Sequence, residues 1–185
     1  MTVESRTRIR TPLCSLLGCD VPILLAGMGG VARWELAAAV ANAGGYPALG
    51  MVRESPELIA SEVRALQSAT DRPFALLRPI DDDLHAENAG ADVIIAQGIE
   101  AGGHVHGRMG SYALAETILQ RTKLPVVLSG GISTGKGLAS ALALGAQGVQ
   151  CGTAFLATNE SFAHSDHKQR VVDASGDDTV LTDVF

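Results

Sequence analysis

At 185 residues and 46% hydrophobic content, the chain can bury one sizeable core and is too short for two comfortable ones, so residues 1–185 are read as a single domain. The formal charge of −6 is spread along the chain, and no basic cluster is interleaved with aromatics, which excludes nucleic acid as a partner. Twenty-one glycines and few aromatics suit the close helix-on-sheet packing of an α/β protein.

The leading MTVESRTRIRTPL is followed by no apolar run of signal-peptide length before Pro22, and no later stretch is long enough to span a membrane. A cytoplasmic protein with no membrane partner is expected. Cys14, Cys19 and Cys151 lie in apolar surroundings without CxxC or Cys/His spacing, so they are read as reduced, buried thiols and no metal site is expected.

In chain order, short apolar runs alternate with segments of helical period. A strand over 22–26 precedes a helix over 33–42, stopped by Gly44. A strand over 46–49 precedes a helix over 55–68, opened by Ser55 as cap and Pro56 at the first helical position. A strand over 74–77 follows. The rhythm then breaks at RPIDDDLHAENAGAD, where Asp81–83 and a lone Leu84 stand in place of a full helix. It resumes with a strand over 92–96, a helix over 111–121, a strand over 125–128, a helix over 134–144 stopped by Gly145, and a strand over 149–155. The polar tail reads as a surface strap or short strand, cut off after an apolar VF. Six strands cannot close a cylinder that needs eight and about 250 residues, so either the sheet is open or two βα units are absent. Open edges predict dimerisation or poor solubility.

Three motifs follow strands directly, at the edge where α/β folds place ligands. QGIEAGGHVHG (97–107) pairs Gly102 and Gly103, which allow close backbone approach to a flat ligand, with His104, which can exchange a proton near neutral pH. His106 lacks that framing and reads as a surface histidine. LSGGISTGKG (128–137) runs from a strand through glycines into a helix start, where backbone N–H groups and the helix dipole suit phosphate. GVQCGTAFLA (148–157) offers an N–H at Gly152 and a hydroxyl at Thr153. Two adjacent late loops with phosphate donors imply a phosphorylated cofactor.

Two other patterns mislead. GMGGVA satisfies GxGxxA at Gly27, Gly29 and Ala32, yet the second strand ends in Leu49, Gly50 and Met51 without the acidic residue a dinucleotide site needs. GGISTGKG resembles a phosphate-binding P-loop, but Gly137 stands where the Mg²⁺-binding hydroxyl belongs.

PILLAGMGG, AQGIEAGGHVHG, PVVLSGGI and GVQCGTAFLA, in that order, resemble the motifs of the nitronate monooxygenase (2-nitropropane dioxygenase) family, and the tail from AHSDHKQR onward is similar too. The resemblance implies an FMN-binding (β/α)8 barrel that oxidises alkyl nitronates with O₂ to a carbonyl compound and nitrite, with His104 as general base. It also implies flavin contacts at Ala26, Gly27, Met28, Gln97, Gly102 and Gly103, a phosphate loop at Gly130 and Gly131, and a last FMN loop at Gln150, Gly152 and Thr153. Gly27 departs from the proline of many members, PFALL departs from the usual third strand, and strands four and five have no counterpart, which puts the gap at about 78–89. Two rivals remain: an NAD(P)H-dependent flavin reductase of the same superfamily, of the enoyl-acyl carrier protein or quinone type, and a non-catalytic barrel remnant.

Overall fold

In a computed structural model of the chain, residues 9–51, 54–77, 91–105 and 107–183 are described. The apolar, β-branched runs form short parallel strands: β1 (Ile23–Leu25), β2 (Ala48–Gly50), β3 (Ala75–Leu77), β4 (Ile94–Gln97), β5 (Val126–Ser129) and β6 (Gly148–Cys151). The helices between them are α1 (Pro12–Leu17), α2 (Trp34–Asn42), α3 (Pro56–Ala69), α4 (Ser111–Leu119), α5 (Gly135–Leu144), α6 (Thr153–Leu156) and α7 (Ser165–Asp173).

Four strands pair in the order β1-β6-β5-β4, and β2 pairs with β3. A parallel bridge between Leu24 and Tyr46 stitches the two sheets, with Leu25 N–H donating to the Tyr46 carbonyl and Tyr46 N–H to that of Ile23, both at 2.9 Å. The result is one parallel arc, β3-β2-β1-β6-β5-β4, in which the first strand lies beside the last. That is the closure of a β/α barrel, with two βα units fewer than the eight of the full cylinder. The free edges of the arc, among the described residues, are β3 and β4.

Strand alternation sorts the side chains. Ala96, Val126, Leu128, Val149 and Cys151 face outward and pack with α4 and α5, while Leu25 and Leu49 pack with α2 and α3. Leu24 and Val127 face inward and meet Leu13 of α1. This helix closes the strand-start end of the barrel, secured by Thr11 Oγ1 donating to the Gln147 carbonyl at 2.6 Å. Leu13 is fully buried, a burial worth about 1.5–3 kcal/mol.

Helix starts and stops largely follow the sequence reading. The Ser55 hydroxyl accepts from Leu58 N–H at 3.3 Å, and Gly145 ends α5 at φ 111°. Three expectations change. The strand expected over 149–155 stops at Cys151, where the ladder with β1 and β5 ends, and the chain turns into α6. The tail is not a strap or strand but α7 and a 3-10 turn, Gly176–Asp178. None of α7 is buried; it is fixed by local bonds instead, with His164 Nδ1 accepting from Asp166 N–H at 3.3 Å and Lys168 Nζ donating to the Thr158 carbonyl at 2.7 Å. Helix α1 was not foreseen, because six residues carry too little period to register. The Asp81–83 run, the expected gap at 78–89 and His106 lie outside the described residues. Among those described, no helix is long and apolar enough to cross a membrane.

Candidate functional site

Because the strands run parallel, their C-terminal ends share one edge, and all three sequence motifs arrive there. The register pairs Gln97 with Ser129 and Ser129 with Gln150. Their strand neighbours Ala96, Leu128, Val149 and Cys151 face outward, so alternation turns these three side chains inward as a polar row at the top of the barrel. Ser129 is buried, and neither motif nor resemblance had singled it out; its parity with Gln97 and Gln150 was the available signal.

The loop after β4 is folded tightly at its base. Gly98 N–H donates to the Ser129 carbonyl at 2.9 Å and Ala101 N–H to that of Gly98 at 3.0 Å. Glu100 Oε2 accepts from Ser111 N–H at 2.8 Å, which caps α4 from within the loop. A β-carbon on Gly98 would overlap the Ser111 backbone. Glu100 thus shapes the loop, a role the sequence reading did not give it. Further on, Gly103 takes a left-handed φ of 79°, and Gln97 Nε2 donates to the His104 carbonyl at 3.2 Å. His104 itself is exposed.

The loop after β5 packs against the first. Gly130 and Gly131 have φ of 110° and 69°, and a β-carbon on Gly130 would lie 2.9 Å from Ala101 N. The thiol of Cys151 donates to the Ile132 carbonyl at 3.3 Å. Burial raises its pKa, which keeps the donor proton in place. Thr134 Oγ1 accepts from Gly137 N–H at 3.2 Å and so caps α5.

The ring closes through β6 and β1. A β-carbon on Gly102 would lie 2.7 Å from Thr153 Oγ1, and one on Gly152 would lie 3.4 Å from both Ala26 Cβ and Met28 Sδ. Ala26 N–H donates to the Cys151 carbonyl at 2.9 Å. Gly50, at the end of β2, approaches the Met28 backbone so closely that any side chain would overlap it. Of the expected site residues, Gly102 thus meets Thr153, Gly152 meets Ala26 and Met28, and Gly130 packs on Ala101, the neighbour of Gly102, with Gln97 and Gln150 in the row beneath. Gly27 connects Ala26 to Met28. Gly131 borders the Glu100 side chain, and among the described residues Gly103 has open space around it. Sequence reasoning missed Gly50, whose only signal was a glycine closing a buried strand.

Surface cavities of about 660 and 370 Å³ lie at the opposite edge, lined by Gln67 and residues 70–74 and by Ala41, Asn42 and residues 69–72. They have no part in the glycine-lined edge. Among the described residues, no group of three His, Cys, Asp or Glu is arranged to hold a metal ion.

The family model for nitronate monooxygenases matches residues 10–89 and 78–185. The chain belongs to the nitronate monooxygenase family. It is thereby placed among oxidoreductases. A Mycobacterium tuberculosis (3aS,4S,5R,7aS)-5-hydroxy-7a-methyl-1-oxo-octahydro-1H-indene-4-carboxyl-CoA dehydrogenase is 32% identical over 95% of the chain, which spans 63% of that protein. A nitronate monooxygenase of Paraburkholderia phytofirmans is 28% identical over 98% of the chain and 75% of its own length. That alignment runs over 277 positions, so this relative carries a long stretch with no counterpart here. Among solved structures, FabK of Thermotoga maritima superposes with a TM-score of 0.86 at 32% identity, over 94% of the chain and 71% of its own.

Proposed function

We propose that the glycine-lined edge binds FMN and that the chain oxidises alkyl nitronates with O₂ to a carbonyl compound and nitrite. The observation that carries this reading is the close packing of the loops after β4, β5 and β6, where a β-carbon on Gly130 would press on Ala101 and one on Gly102 on the Thr153 hydroxyl. The residues fit the group: left-handed Gly130 and Gly131 lead into the N-terminus of a ten-residue helix, which favours a phosphate, and the Thr153 hydroxyl lies alongside.

Gly130, Gly131 and Thr153 would hold the phosphate, while Ala26, Gly27, Met28, Gln97, Gly102 and Gln150 would line the ring. Bound FMN supplies the two-electron redox chemistry. Gly102 and Gly103 keep the approach clear of side chains, and Gln97 holds the His104 backbone. The His104 imidazole takes the α proton when the substrate arrives as a neutral nitroalkane, a role worth about 10²–10⁴-fold. A substrate already ionised as the nitronate needs no such step.

The two pieces of the family match overlap over 78–89, and the free edges β3 and β4 flank that segment. We place there the βα units that longer relatives carry.

A second reading is a flavin reductase that uses a nicotinamide, since a relative named as a dehydrogenase shows that oxidoreductases other than nitronate monooxygenases share much of this sequence. The deciding experiment is the absorbance spectrum of the purified protein, before and after anaerobic addition of a nitronate or of NADH, repeated with His104→Ala. Yellow protein bleached by the nitronate and not by NADH is the expected result. Bleaching by NADH favours the reductase, and colourless protein that cannot take up FMN overturns both.

A further inference from the structure

The loop after β1 carries Ala26 to Met28 into the site and then enters α2 at Arg33. A helix start ordinarily takes Ser, Thr, Asp or Asn as cap. Here Arg33 occupies the cap position and makes no capping bond with its side chain. The first turn is capped from another helix instead: Trp34 N–H donates to Glu62 Oε2 of α3 at 2.9 Å.

The Arg33 guanidinium reaches three further segments. Nη2 pairs with Glu54 Oε1 at 2.8 Å, in the connection after β2, and Nη1 lies 3.6 Å from Glu62 Oε1. Its carbon lies 5.2 Å from the ring centre of Phe162, in the segment after α6. Phe162 N–H in turn donates to the Val31 carbonyl at 3.1 Å. The Arg33 side chain is 12% exposed, and its Nε is buried with no partner among the described residues. Burying a cation with an unmet donor is costly, and a capping serine would have started the helix without that cost. The local helix therefore does not explain this residue.

What Arg33 does accomplish is to tie the loop after β1, the loop after β2 and the segment after β6 together on the site's rim. The Met28 backbone lies against Gly50 and its side chain against Gly152, so this loop has little room to shift without moving both. We infer that Arg33 is a positioning residue: clasped by Glu54, Glu62 and Phe162, it holds the 26–33 loop in its binding geometry and so sets the affinity for the flavin. The inference rests on the FMN reading for its ligand and on the structure alone for the clasp.

Trp34, the single tryptophan of the sequence, adjoins the clasp and reports on it without any ligand. The experiment compares the wild-type chain with Arg33→Met, Arg33→Lys and the pair Glu54→Gln with Glu62→Gln. It records Trp34 near-UV circular dichroism, the folded fraction by far-UV circular dichroism, and FMN affinity by quenching of flavin fluorescence. Expected are an altered Trp34 signal in Arg33→Met and the double variant, with FMN bound about tenfold more weakly per folded molecule. Arg33→Lys restores part of both, since an ammonium keeps the charge but not the two-pronged geometry. An unchanged Trp34 signal in Arg33→Met overturns the clasp, as does an affinity loss accounted for by the folded fraction. If the wild-type chain takes up no FMN, the reading of the site fails, while the clasp is still decided by the Trp34 signal.

Discussion

Gln97 and His104 are joined across the β4 loop: the side-chain amide of Gln97 donates to the main-chain carbonyl of His104 at 3.2 Å. A carbonyl only accepts, so the amide nitrogen must face it. The residue at the strand end thereby holds the backbone from which the proposed base projects. Gln97→Leu removes the bond, a loss of about 0.5–1.5 kcal/mol in holding the loop. The expected outcome is faster hydrogen exchange over residues 98–105 and slower nitrite release from a neutral nitroalkane, with nitronate turnover less affected. Equal loss on both substrates would place Gln97 in ring binding alone.

Gly102 faces the Thr153 hydroxyl with space for nothing larger than hydrogen. Gly102→Val fills that space from an exposed loop, so the global stability is expected to change by less than about 1 kcal/mol, while FMN binding is lost. Titration with FMN alongside chemical unfolding checks both. Full retention of FMN by this variant would remove Gly102 from the binding surface.

Gly50 makes the opposite contrast. Its neighbour is the Met28 backbone, which cannot swing aside as a threonine side chain can. Gly50→Ala forces β2 and the β1 loop apart and is expected to cost about 1–3 kcal/mol, measured as a lower denaturant midpoint at unchanged slope. A neutral effect would show that the loop relaxes freely.

Cys19 gives the stability a pH dependence at the alkaline end. Its pKa rises from 9.0 to about 11, chiefly through burial and then through Cys14 and Asp20. Tyr46 beside it is raised as well, by burial and by Cys19. The folded state holds these protons more tightly than the unfolded chain, so unfolding becomes easier once the unfolded thiol ionises. The contribution is complete below pH 9 and lost as pH rises from about 9 to about 11. Thermal unfolding at pH 8, 9, 10 and 11 is expected to show a falling midpoint, with a shallower fall in Cys19→Ala. An identical fall in that variant would assign the effect to other groups.

Among the described residues, the outer edges of β3 and β4 have no strand beside them, and Ile95, inward-facing with Gln97, is 44% exposed. Such edges recruit strands from other chains. We expect a second copy to pair there, and sedimentation at micromolar concentration to give a dimer. A well-behaved monomer would count against it.

Local pattern carried much of this molecule. The period-two and helical runs placed six strands and four of the helices, because burial on one face imprints its period on the residues. Glycines after strands marked the loops of the edge, because left-handed backbone and close approach leave few alternatives to glycine. The short α1 and the polar α7 were illegible for the same reason inverted: one is too brief for a period, and the other buries nothing and is fixed by caps.

The sequence by itself determined the residue types of the site and the strand ends that bear them, since both follow from neighbours a few positions away. Only the tertiary structure decided which of them meet. Gly102 with Thr153, Gly50 with Met28, and Arg33 with Glu54, Glu62 and Phe162 are pairings across separate βα units. They depend on the parallel register and on β6 closing beside β1, and no local pattern encodes a contact whose partner lies on another strand.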